Sequence, residues 1–215
     1  MKDTSVLTKL FEAEKSFRRA REAVFAELTD DLVVSSVAAE IDRAMPQPHS
    51  EDAGFRLMLC AELLESIPCR ESARLLLVIL GHEDPGIRVA AGETLVNMLE
   101  DRWKEASAAV EASIKSGTNL NALRELPFVL AESGDPAAGA LIAKLLTHTD
   151  ADVVASAIEA LVEIGDPTFK PEIEKLTKDR RVLMSPESDD GESPQDTGTV
   201  GELALEAAKI LETAK

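Results

Sequence analysis

The sequence predicts an all-α chain, an α-solenoid of about five antiparallel helix pairs, and three observations carry that prediction. Ala, Leu, Glu and Val dominate, whereas aromatic residues make up only 3% and Tyr is absent; this is a composition of helix formers with few strand formers. Three stretches align with one another: "DAGFRLMLCAELLESI" from Asp52, "DPGIRVAAGETLVNML" from Asp84 and "DADVVASAIEALVEIG" from Asp150. Finally, the stop signals "SGDP" (Ser133–Pro136) and "IGDP" (Ile164–Pro167) lie 31 residues apart, and Asp52 and Asp84 lie 32 apart. A period just over thirty residues, repeated along the chain, is the signature of stacked supersecondary units.

Each period reads as two helices. A first helix such as "AAGALIAKLL" is followed by a polar turn, "THTDAD", and by a second helix such as Val153–Ile164. The Asp of the turn is placed to cap the second helix. Gly165 suits a left-handed C-cap, and Pro167 suits the first turn of the next helix. Val153, Ala157, Leu161 and Ile164 form one apolar stripe, and Val154, Ile158 and Val162 a second beside it. A helix with two adjacent apolar stripes has neighbours on two sides, as inside a stack.

The same alignment places Phe55, Leu59 and Leu63 opposite Ile87, Ala91 and Leu95 as core, and makes Arg56 equivalent to Arg88. Those arginines are expected to brace neighbouring repeats, onto Asp52 and Asp84. "DLVVSSVAAEIDRAM" reads as the first helix of the first unit. In the middle unit Pro127 removes an N–H and crowds the preceding turn, which predicts a kink or a late helix start. "EDRWKEA", with Trp103, reads as a linker between units. The last unit runs from "PTFKPEIEKLTKD" to "TVGELALEAAKIL". Between them, "SPESDDGESPQDTG" (residues 185–198) has no apolar residue to bury and is expected to be a disordered inserted loop. Residues 1–30 hold one amphipathic helix, expected as the atypical N-terminal cap that a stack needs, ahead of the repeats over residues 31–215.

The pattern in "DPGIRVAAGETL" and "DADVVASAIEALVEIGDP" resembles HEAT repeats, most closely the short bacterial kind called PBS-lyase HEAT-like repeats. The resemblance spans roughly Asp31 to Leu211. It implies antiparallel helix pairs whose second helices line a concave face. It implies little about function, because the family serves many roles.

Chemistry is excluded more than indicated. The formal net charge is −17, which gives no global field for phosphate backbones and disfavours nucleic acid as a partner. The Arg18, Arg19, Arg21 and Lys178, Arg180, Arg181 clusters read as solvated helix or turn surface. His82 and His148 occupy the same turn of two different repeats, so with His49 they do not form one metal site. The single His82–Glu83 pair departs from the several His-Glu pairs of the HEAT-like deoxyhypusine hydroxylase, so that activity does not carry over. No nucleophile elbow or phosphate loop is present. Cys60 and Cys69 lack CxxC spacing and read as reduced thiols. No secretory or membrane-spanning segment is legible, so the chain reads as soluble and cytoplasmic, with no cofactor. Through the resemblance alone, a bilin-lyase-like tetrapyrrole enzyme is the alternative to a binding scaffold.

The scaffold reading locates a site. If second helices line one face, Ala61, Glu93, Phe128, Glu159 and Glu206 form one row across it, and Glu65, Asn97, Glu132, Glu163 and Ile210 a second. Two mostly acidic rows with Phe128 as an apolar anchor suit a basic or amphipathic segment of a protein partner. The function expected is therefore a non-catalytic adaptor or regulatory scaffold.

Overall fold

The structure is a computed structural model, and it describes residues 4–117, 119–184 and 196–213. The chain is all-α. Helices α1 (Thr4–Glu27), α2 (Asp30–Ala44), α3 (Glu51–Glu65), α4 (Arg70–Ile79), α5 (Pro85–Ser116), α6 (Leu120–Glu132), α7 (Ala138–Ala143), α8 (Ala151–Ile164), α9 (Lys170–Glu174) and α10 (Val200–Thr213) follow in order. Short 3-10 turns extend α7 to Thr147 and precede α9 from Pro167. Strands β1 (Val182–Met184) and β2 (Asp196–Thr199) pair antiparallel, Val182 facing Thr199.

Local chemistry explains the helix starts. Ser50, Asp84, Asn119 and Asp150 have extended backbone, and each accepts a bond from an amide in the helix that follows. This satisfies one of the free donors of the first turn. At α10, Thr199 Oγ1 accepts from the Glu202 amide while Glu202 reaches back to the Thr199 amide, a reciprocal capping box. Two turns share a further device. The Asp84 amide donates to His82 Nδ1 at 3.0 Å, and the Asp150 amide donates to His148 Nδ1 at 3.1 Å. The equivalence of these histidines is thus a shared turn geometry.

Packing follows the chain in pairs. α2 lies on α3, α4 on α5, α5 on α6, α7 on α8, and α9 on α10. Further contacts run from α3 to α5, α6 to α8 and α8 to α10. The equivalent positions Ile87, Ala122, Val153 and Val200 are all buried, as are Ala91, Leu126, Ala157 and Ala204. One continuous core of Leu, Ile, Val and Ala runs through all of these helices.

Several expectations change. The first unit is capped by Ser50, two residues before Asp52. Its buried stripe is Ala53, Leu57, Ala61 and Leu64, while Phe55 is 63% exposed and Leu59 and Leu63 are half-buried. The Asp-first alignment was therefore out of step there by two residues. Arg56 and Arg88 are accordingly not equivalent. Arg56 bonds Asp52 at 2.7 Å and Glu40 of α2 at 2.8 Å. Arg88 bonds Glu125 of α6 at 2.7 Å and the His82 and Glu83 carbonyls, not Asp84. α6 begins at Leu120 and continues through Pro127. The Pro127 ring is buried.

No loop stands at the expected linker. α5 runs through it, broken only at Arg102 (φ −140°, ψ 51°), and Trp103 packs half-buried against the core. Of the expected loop, residues 185–195 lie outside the described residues, and Asp196–Gly198 belong to β2. The N-terminal helix exists, but only its last turns, with Val24 and Phe25, meet the core.

Arg124 of α6 reaches Asp150 at 3.1 Å and Asp152 at 3.0 Å, tying one second helix to the N-terminus of the next. Burial alone would raise the Asp150 carboxyl, but Arg124, the Val153 amide and His148 outweigh it and hold Asp150 below its ordinary range. A depressed carboxyl contributes stability at neutral pH that is lost as pH falls through its folded pKa. Asp150→Ala is expected to cost about 1–2 kcal/mol in urea unfolding at pH 7. The difference from wild type should shrink in acid, below the ordinary Asp range.

Candidate functional site

Helices α5, α6, α8 and α10 each leave residues exposed to solvent. On a helix, residues four apart lie above one another. Glu93 and Asn97 of α5, Phe128 and Glu132 of α6, Glu159 and Glu163 of α8, and Glu206 and Ile210 of α10 are therefore paired by turns, and all are exposed. α5, α6, α8 and α10 pack in succession. The residues just named are eight of the ten row positions read from the sequence.

The α3 end differs. Ala61 is buried at 1% exposure and belongs to the core, so it leaves the row. The corrected register puts Leu59 and Leu63 in its place. Glu65 nevertheless stays at the face, because Asn97 Nδ2 donates to Glu65 Oε1 at 2.9 Å across the α3–α5 contact.

Sequence reasoning missed the apolar end of this face. Phe55 and Met58 of α3 and Val89 of α5 are exposed. Phe55 and Met58 line a groove with Pro48, Gly86 and Ile87 at the start of α3 and α5. Val89 lies one turn before Glu93. Reading Ser50 as the cap would have found this patch, since Phe55 then falls outside the core stripe.

The charges divide in an informative way. Among the described residues, Glu93, Glu132, Glu159, Glu163 and Glu206 make no ion pair with Lys or Arg. Several cations are engaged elsewhere. Arg74 forks onto Glu71, and Lys144 bonds Glu111 at 2.7 Å. Three residues of the two basic clusters are engaged as well. Arg18 bonds Glu14, Arg21 donates to the Glu62 carbonyl and Ser66 Oγ, and Arg181 clamps Asp179 and the His148 and Thr149 carbonyls. On the glutamate face, partial desolvation without a compensating cation pushes the Glu159 carboxyl above its ordinary value.

Other chemistry has less to work with. No group of three or more His, Cys, Asp or Glu side chains among the described residues is arranged to hold a metal. Burial pushes the Cys60 thiol up to about 11, so it stays protonated at neutral pH. No helix among the described residues is long and apolar enough to cross a membrane.

Comparison with protein-family models finds no match for this chain, and comparison with curated proteins finds none either. The site is therefore read from its own geometry.

A raised carboxyl pKa means that the fold disfavours the anion, a cost present at neutral pH and relieved as pH falls through that pKa. Glu159→Gln should therefore raise the thermal midpoint at pH 7, and the gain should vanish in acid, where wild-type Glu159 is protonated. Differential scanning calorimetry across that range checks this.

Proposed function

We propose that this chain is a HEAT-like α-solenoid of five helix pairs that serves as a non-catalytic adaptor, binding a basic, amphipathic segment of a protein partner on the exposed face of its second helices. The five pairs are α2 with α3, α4 with the first half of α5, the second half of α5 with α6, α7 with α8, and α9 with α10. The unbroken packing of α3, α5, α6, α8 and α10 supports this arrangement, and in such a stack the second helices line the concave side.

One observation carries the functional reading. Five glutamates, Glu93, Glu132, Glu159, Glu163 and Glu206, are exposed on α5, α6, α8 and α10 and make no ion pair with Lys or Arg among the described residues. An uncompensated acidic row repels itself, and a Lys/Arg-bearing ligand relieves that repulsion. Phe128 within the row, and Phe55, Met58 and Val89 at its end, offer apolar contact to the other side of the same segment. Glu65 and Asn97, bonded to each other, mark the passage between the apolar and acidic parts.

The test uses a fluorescent amphipathic helical peptide carrying Lys and Arg along one face and Leu along the other, with anisotropy as the readout. Binding to wild type should weaken as salt is raised. The Glu93→Lys, Glu159→Lys, Glu163→Lys triple variant, checked for native helicity, should bind at least about ten-fold more weakly, since each reversed contact is worth on the order of 1 kcal/mol. Equal binding to both proteins would reject this face as the site.

A further inference from the structure

We propose that α1 pairs with α1 of a second copy of this chain, antiparallel and centred on Lys15, making the protein a homodimer through its N-terminal helix. Among the described residues, Val6 to Ala20 of α1 are exposed throughout. Val6, Leu10 and Phe11 are each at least 60% exposed, and Leu7 and Phe17 are also exposed. These residues lie on the side of the helix that, two turns further on, seats Val24 and Phe25 against the core and bonds Arg21 to α3. The unpartnered stripe is thus the continuation of a packing face already in use.

The stripe has the spacing of a helix–helix seam. Val6, Leu10, Ala13, Phe17, Ala20 and Val24 recur at alternating steps of four and three residues, every one apolar. Its occupant is indicated by its sizes. Two such helices laid antiparallel about residue 15 oppose Leu10 to Ala20 and Phe17 to Ala13, while Val24 stays on the core of its own chain. Each large side chain meets a small one, and the match is with itself. That self-complementarity is what a two-fold, isologous interface requires.

Charge points the same way. α1 carries five Lys or Arg against four Glu, whereas the rest of the chain carries 18 Lys or Arg against 36 Asp or Glu. Two copies of so acidic a body repel each other over most of their surfaces. α1 is near neutral, and it projects beyond the body, so it can bring two copies together with the acidic faces held apart.

The experiment is sedimentation equilibrium of the full chain at micromolar concentration, followed by cysteine crosslinking. Wild type should have twice the monomer mass, and Leu10→Asp should have the monomer mass with an unchanged far-ultraviolet spectrum for the body. In a Cys69→Ser background, Ser16→Cys flanks the proposed two-fold axis and should form an intermolecular disulfide on oxidation. Val6→Cys, at the end of the seam, should not crosslink to itself. A monomeric wild type would overturn the proposal and leave the stripe to another protein's helix or a lipid surface. So would a Leu10→Asp protein that stays dimeric. Crosslinking through Val6→Cys would mean parallel pairing and would overturn it too, and a dimer that neither cysteine traps would place the contact elsewhere.

Discussion

The close approach of one second helix to the next is the constraint on which the rest of this structure depends. α5, α6 and α8 each touch two neighbours in the row, and α3 and α10 one each, so bulk is rationed where they meet. Gly54 faces Ile87 of α5, where a Cβ would lie 3.2 Å from the Ile87 side chain. Gly92 faces Val129 of α6 and Leu80 of α4 at ordinary contact distance. Ala91, Ala157, Ala160, Ala204 and Ala207 are buried at related positions. Small residues at these places let the larger Leu and Ile side chains interlock beside them. At the far end the constraint becomes stricter, since a Cβ on Gly201 would lie 2.7 Å from the Asp179 carbonyl oxygen.

The same constraint sorts the charges. A helix in contact on three sides has only a narrow strip left for solvent, and in α5, α6, α8 and α10 that strip is where glutamates recur. Arginines are drawn to the ends of the helices instead, where carbonyls and capping aspartates converge. Arg88 gathers the His82 and Glu83 carbonyls, Arg124 binds the Asp150 cap, and Arg181 collects the His148 and Thr149 carbonyls. Fastening the turns with arginine leaves the middle of the second-helix face acidic and unbalanced. Structure and proposed function are linked by this division, since the residues that hold the units together are the ones withdrawn from the face.

How much of this was legible in the sequence varied with how local the signal was. The second helix of the fourth unit was read almost whole, because Asp150, Gly165 and two apolar stripes all act within one helix. The acidic rows over α5, α6, α8 and α10 followed from the same register. The first unit was misread because Asp52 lies close to the true cap. Glu51 and Asp52 sit in the first turn, where acids favour the helix dipole, and only packing distinguishes Ser50 as the cap. Pro127 looked like a breaker because propensity counts the lost amide bond, yet α6 runs through it. The continuity of α5 past Arg102 and the β1–β2 pairing depend on contacts between distant segments, which periodicity does not encode. The exposure of α1 is the opposite case, since its apolar spacing is plain and only the fold reveals that the chain leaves most of it uncovered.

The packing account is tested most directly at Gly92, by urea unfolding of Gly92→Ala and Gly92→Leu beside wild type. An added methyl would make contacts of 3.5 and 3.7 Å with Val129 and Leu80, so alanine should fit and stabilise α5 by up to about 1 kcal/mol through helix propensity. Leucine has no space between α5 and α6 and should cost about 1–3 kcal/mol. If leucine were tolerated as well as alanine, the second helices would not meet at this point, and the continuous face proposed to bind a partner would lose its foundation.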